Sequence, residues 1–187
     1  MSTAPSLEPD CARCAALCCM ALAFDRSEMF GFDKPAGVGC RNLTRDRLCR
    51  IHGSLDDQGF GGCVAFSCNG AGQRVTQDLF DGATWQTKPQ LIGPMISAFR
   101  VMRALHDMLV LLNDAMALPV PEPAKRQIQS QIDVLTPPQG WSLDDLDHVE
   151  TLLEAARVSL GELRTYVAPS QIAQTMKMPA PSGETPG

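Results

Sequence analysis

Eight cysteines fall between residues 11 and 68 of this 187-residue chain, and none follows. They read Cys11-x2-Cys14-x3-Cys18-Cys19, then Cys40, Cys49, Cys63 and Cys68. Thiols this dense serve either to bind metal or to form disulfides. Disulfides require an oxidising compartment and therefore an export signal. Met1 to Asp10 carries no Lys or Arg, and the apolar run Ala15 to Phe24 is followed by Asp25 and Arg26 rather than by a small-residue cleavage site. That run is also too short to cross a bilayer. A cytoplasmic chain with reduced thiols is expected, and there a cysteine cluster reads as a metal site.

If Asp10 to Phe24 is a single helix capped by Asp10, Cys11, Cys14 and Cys18 share a ~60° arc of it. Cys19 points elsewhere, toward a second metal or into packing. The other four thiols must arrive from loops. Zinc takes four Cys, or Cys with His, and iron–sulfur clusters take Cys thiolates. Eight thiols suit two such sites, or one site with spares. The spacing does not choose the metal, because neither a paired CxxC zinc ribbon nor a ferredoxin C-x2-C-x2-C run is present. His52, three residues after Cys49, is a further ligand type, although a surface histidine is the plainer reading. Arg41, Arg45, Arg47 and Arg50 bracket Cys49 and read as charge balance beside thiolates.

The elements that must position these thiols divide near residue 88. Residues 1–88 hold every cysteine and ten of the fifteen glycines. This stretch reads as an irregular region stapled by metal, because it lacks the apolar side chains for a large core. Within it Leu48–Ile51 reads as a short strand, and Cys63–Cys68 as a strand or a helical turn. Residues 89–167 read as three helices. Ile92, Met95, Phe99, Met102, Leu105, Leu109, Leu112 and Met116 mark one face of the first, over Pro89–Leu118. Glu122–Leu135 is the second. Ser142 to Val167 is the third, opened by Ser142 with Asp145 three residues on. Residues 168–187 are rich in Pro, Ser, Gly and Thr, and a disordered tail is expected. The fold class is mainly α. The net charge of −5 and an aromatic content of 5% argue against a nucleic-acid partner. The apolar stripe of the first helix offers a surface for a second copy or a protein partner.

The order of cysteines, with Leu48-Cys49-Arg50-Ile51-His52 and Gly62-Cys63-Val64-Ala65-Phe66-Ser67-Cys68, resembles the YkgJ-type zinc- or iron-chelating cysteine-cluster family over roughly residues 10 to 70. Ala21 to Asp25 and Phe32 to Gly37 are similar to the N-terminal region of some bacterial pentapeptide-repeat proteins that carry this cluster. The resemblance implies that all eight cysteines, Cys11, Cys14, Cys18, Cys19, Cys40, Cys49, Cys63 and Cys68, are metal ligands. This chain differs in the three-residue gap between Cys14 and Cys18 and in Phe60-Gly61-Gly62 where the family usually has Arg-Pro. Three helices stand where the repeats would be.

The leading functional expectation is a thiolate-ligated iron–sulfur or zinc protein. A redox or methyl-transfer enzyme using the cluster is a second reading. The radical-SAM spacing fails because Cys19 directly follows Cys18, and no Ser-His-Asp or Cys-His pairing stands out. An interaction module with metal as its staple is the third.

Overall fold

A computed structural model describes residues 5–166. The tail expected over 168–187 lies outside the described residues. The fold is mainly helical, with six α-helices among the described residues: α1 (Leu17–Ala21), α2 (Gly61–Ala65), α3 (Ala71–Arg74), α4 (Ile92–Met116), α5 (Glu122–Leu135) and α6 (Leu146–Glu162). A π-turn over Val75–Leu79 extends α3. In place of strands there are isolated antiparallel bridges, Phe24 with Lys34, Ser27 with Phe30 and Leu43 with Cys49. Leu48–Ile51 is therefore a turn with one bridge rather than the expected strand. Cys63 lies on the helical turn α2, and the chain extends again from Phe66.

The three long helices form where their apolar residues step by three and four. Proline sets their limits. Pro89 opens a 3-10 turn into α4, Pro119 follows its end, and Pro123 sits in the first turn of α5, where a missing N–H costs no hydrogen bond. Helices α4, α5 and α6 pack pairwise on one another, and α4 also meets α1, α3 and the π-turn. One apolar core results, and it crosses residue 88. Met95, Phe99, Met102, Leu105, Leu109 and Leu112 of α4 pack with Ile128 of α5 and Val149 and Leu153 of α6. Cys14, Ala15, Leu17, Met20, Ala71 and Val75 complete the same cluster. The methionines of α4 are thus packing residues.

The expected helix over Asp10–Phe24 is broken. Asp10 does cap, accepting from the amides of Ala12 and Arg13, but it starts only a 3-10 turn, Cys11–Arg13. Cys14 is extended and Ala16 is left-handed, with φ 58°. Distant side chains impose this path. The Ala15 amide donates to Thr76 Oγ1 at 2.9 Å. The Ala15 carbonyl accepts from Trp85 Nε1 at 2.6 Å, and the Arg13 carbonyl from Gln77 at 2.7 Å. A backbone whose polar groups are bonded to the π-turn and to Trp85 cannot also bond four residues along. The loop from Phe24 to Gly62 has its own small aromatic cluster. Phe24 stacks on Phe30 at 4.4 Å between centroids, and Phe32 meets Phe60 edge-on at 5.0 Å.

Candidate metal centre

The clamp on Ala15 decides where the first thiols go. Cys11, Cys14 and Cys18 do not line one helix face as the spacing predicts, since only Cys18 lies on α1. Cys14 is buried against α3 instead. A Cβ placed on Gly72 would stand 2.6 Å from Cys14 Sγ and 3.9 Å from Cys68 Sγ, so both sulfurs flank that glycine. Cys40 is tied to the α1 end through its amide, which donates to the Cys19 carbonyl at 3.0 Å. Cys49 sits in the turn bridged to Leu43, and Cys63 follows Phe60, the innermost ring of the aromatic cluster.

All eight cysteines are free thiols. The Cys18 thiol donates to Cys19 Sγ at 3.9 Å, far beyond the about 2.05 Å of a disulfide. A tetrahedral zinc site with Zn–S bonds of about 2.3 Å has sulfur–sulfur edges of about 3.8 Å, so this pair has the separation of two ligands. Among the described residues, no three or more Cys, His, Asp or Glu side chains already stand around a point where a metal ion would fit. The thiols share an electrostatic neighbourhood rather than a finished cage.

That neighbourhood centres on Cys18. Burial pushes the thiols of Cys11, Cys14, Cys49 and Cys63 up, and the charge of Cys18 adds to the rise at each. Cys68 presses on Cys11 and Cys14, and Cys40 on Cys49 and Cys63. Cys14 is pushed up to about 12 and Cys63 to about 11. The hydrogen bond to Cys19, then burial, holds Cys18 well above the ordinary thiol value. Backbone amides work the other way. Leu17 and Ala16 offer N–H groups to Cys14, and Ile51 offers one to Cys49, each favouring thiolate. Amide donors to sulfur also tune iron–sulfur and zinc centres.

Lys34 is a member of this neighbourhood that the sequence did not single out. It is 4% exposed, and its Nζ donates to the carbonyls of Met20, Leu22 and Pro35. It thereby closes the C-terminal end of α1. Burial draws its pKa down, while the sulfurs of Cys40, Cys19 and Cys18 push it back up. No carboxylate pairs with it among the described residues. A buried ammonium without a counter-ion is costly, and the groups whose negative charge would bear on it are the thiols of Cys40, Cys19 and Cys18. The one legible hint was the residue type, one of only four lysines beside twelve arginines. A compact ammonium suits three converging carbonyls better than a planar guanidinium does.

His52 is exposed in the 3-10 turn His52–Ser54. Of the four arginines, Arg41 lies over the Phe32 ring at 3.7 Å and Arg50 donates to the Arg41 carbonyl, so both brace the loop that carries Cys40 and Cys49.

Gly72 gives a direct check on this packing. Replacing it with alanine is expected to cost about 1–3 kcal/mol by forcing Cys14 and the extended segment it sits on to move. Denaturant unfolding measures this, and an unchanged midpoint would show that Cys14 does not abut that backbone.

The chain is similar to a curated relative, the uncharacterized protein YybG of Bacillus subtilis (strain 168), with 38% identity over 127 residues. The matched region is 68% of this chain and 46% of that protein, so the chain spans about half the length of the curated relative it matches. No family model matches the chain. No solved structure matches it either. No described helix is long and apolar enough to cross a membrane.

Proposed function

We propose that this chain binds zinc or an iron–sulfur cluster through thiolates drawn from Cys11, Cys14, Cys18, Cys19, Cys40, Cys49, Cys63 and Cys68. The observation that carries the reading is a set of eight free thiols, with the sulfurs of Cys18 and Cys19 only 3.9 Å apart, and the buried, carboxylate-free ammonium of Lys34 on which Cys40, Cys19 and Cys18 bear. Protonated thiols leave that cation uncompensated, whereas thiolates bound to a cation of higher charge fit it. A bound metal would supply the positive charge that keeps several thiolates together. In this reading the chain's part is to offer sulfur from the Cys11–Cys14 turn, α1, two loops, α2 and the segment before α3, and the metal draws the ligands together. The resemblance to the cysteine-cluster family points the same way. In this reading the chain works in a reducing, cytoplasmic setting, and α4, which packs on α1 and α3, lies against the region of the centre.

Purification without oxygen, followed by elemental analysis and a visible spectrum, tests the proposal. Near-stoichiometric metal is expected. Brown protein with iron and acid-labile sulfide identifies a cluster, and colourless protein with zinc identifies a thiolate zinc site. Metal-free protein that takes up neither iron nor zinc, and whose eight thiols all react with a thiol reagent, would end it.

A further inference from the structure

A second site lies away from the cysteines. The turn between α5 and α6 folds back over α4 and leaves a cavity of about 410 Å³. Met102, Leu105 and Leu135 give it an apolar floor, the Trp141 ring forms one side, Thr136 and Gln139 of the turn add polar groups, and the Arg74–Asp78 ion pair stands at its edge. The Trp141 ring is fixed, because its Nε1 donates to the Leu135 carbonyl at 3.2 Å. Its size is within the range of small-molecule sites, roughly 300–1,000 Å³.

His106 also lines this cavity and is 1% exposed. Its Nδ1 is hydrogen-bonded to the Asn69 carbonyl. A carbonyl only accepts, so Nδ1 carries the proton and Nε2 presents a lone pair. Nε2 has no partner among the described residues, and it is not one of the polar atoms sealed without a partner in the packing. The cavity is where its open side faces. Burial also draws the His106 pKa down, which keeps the ring neutral and Nε2 an acceptor at neutral pH.

We propose that this cavity binds a small, uncharged molecule with a flat ring and a hydrogen-bond donor, received by Nε2 of His106. Each part of that description answers a feature of the walls. The lone pair that no described protein group meets is an acceptor, so the ligand brings a donor. Arg74 and Asp78 lie 2.8 Å apart and cancel, so no net charge is called for. Trp141 with three aliphatic side chains favours a ring. The site stands independently of the metal reading, since no cysteine lines it.

Phenol is a suitable probe, with toluene as a control of nearly the same shape and no donor. Full-length protein labelled with ¹⁵N is titrated with each, following the His106 Nε2 and Trp141 Nε1 resonances. Phenol is expected to shift both in a saturable way and to bind roughly tenfold tighter than toluene, the worth of a hydrogen bond to a buried acceptor. His106→Phe, which keeps a ring and removes the acceptor, is expected to erase that preference. Absence of a saturable shift with phenol, or equal binding of toluene by the unmodified protein, would overturn the proposal whether or not the variant folds.

Discussion

Cys18→Ser is expected to weaken metal binding at least ~100-fold while leaving the helical content nearly unchanged. Loss of a metal's outer-shell partner alone typically costs about 10–100-fold, so if Cys18 is a direct ligand, as proposed, its loss should cost more than that. Cys18 is the thiol whose charge reaches Cys11, Cys14, Cys49 and Cys63, and its sulfur is 3.9 Å from that of Cys19. Serine keeps the size of the side chain but not a group that ionises to ligate soft metal. The helices α4, α5 and α6 bury their own stripe of Phe99, Leu109, Leu112, Ile128 and Val149, so they do not depend on that one sulfur. Competition against a chelator gives the affinity, and far-ultraviolet circular dichroism gives the helix content. Wild-type affinity and stoichiometry in Cys18→Ser would remove the thiol cluster as the centre.

The affinity should also climb steeply with pH. In the metal-free fold Cys14 ionises only near about 12 and Cys63 near about 11, with Cys11, Cys18 and Cys49 also raised. At neutral pH these thiols are protonated, and each that becomes a ligand must release its proton. Acid therefore opposes binding and alkali favours it. For a four-thiolate site the logarithm of affinity rises by about four per pH unit, roughly 10⁴-fold for each unit between pH 6 and pH 8. Carboxylates ionise near pH 4 and would give a flat profile across that range. Chelator competition at several pH values, with proton release read in a weak buffer, makes the measurement. A slope near zero would mean that sulfur is not what holds the metal.

Much of the helical half was legible because its signals are local. The apolar steps of α4 and the prolines at 89, 119 and 123 act within a turn or two of themselves. Glu122–Leu135 is α5 residue for residue, while α6 runs from Leu146, four residues later than its Ser142 signal. Ser142 does engage Asp145, donating from its amide and its hydroxyl to the carboxylate, but a turn intervenes before the helix starts. The short helix α3 and its π-turn were missed. Gly70 and Gly72 there look like loop residues, yet Gly70 supplies a left-handed cap at φ +80° and Gly72 makes room for Cys14.

The thiol region was legible in chemistry and not in geometry. Residue types alone say that sulfur is concentrated in one stretch, that no histidine pattern accompanies it, and that the chain after residue 88 is helical. They cannot say that Ala15 bonds to Thr76 and Trp85, 61 and 70 positions away, and so breaks the helix that would have aligned Cys11, Cys14 and Cys18. Nor can they say that Lys34 turns inward to meet three carbonyls under the α1 end, or that His106 keeps one nitrogen open to a cavity. Composition and periodicity act over a few residues. The direction of each thiol depends on hydrogen bonds and packing between segments that meet only once the whole chain has closed around α4.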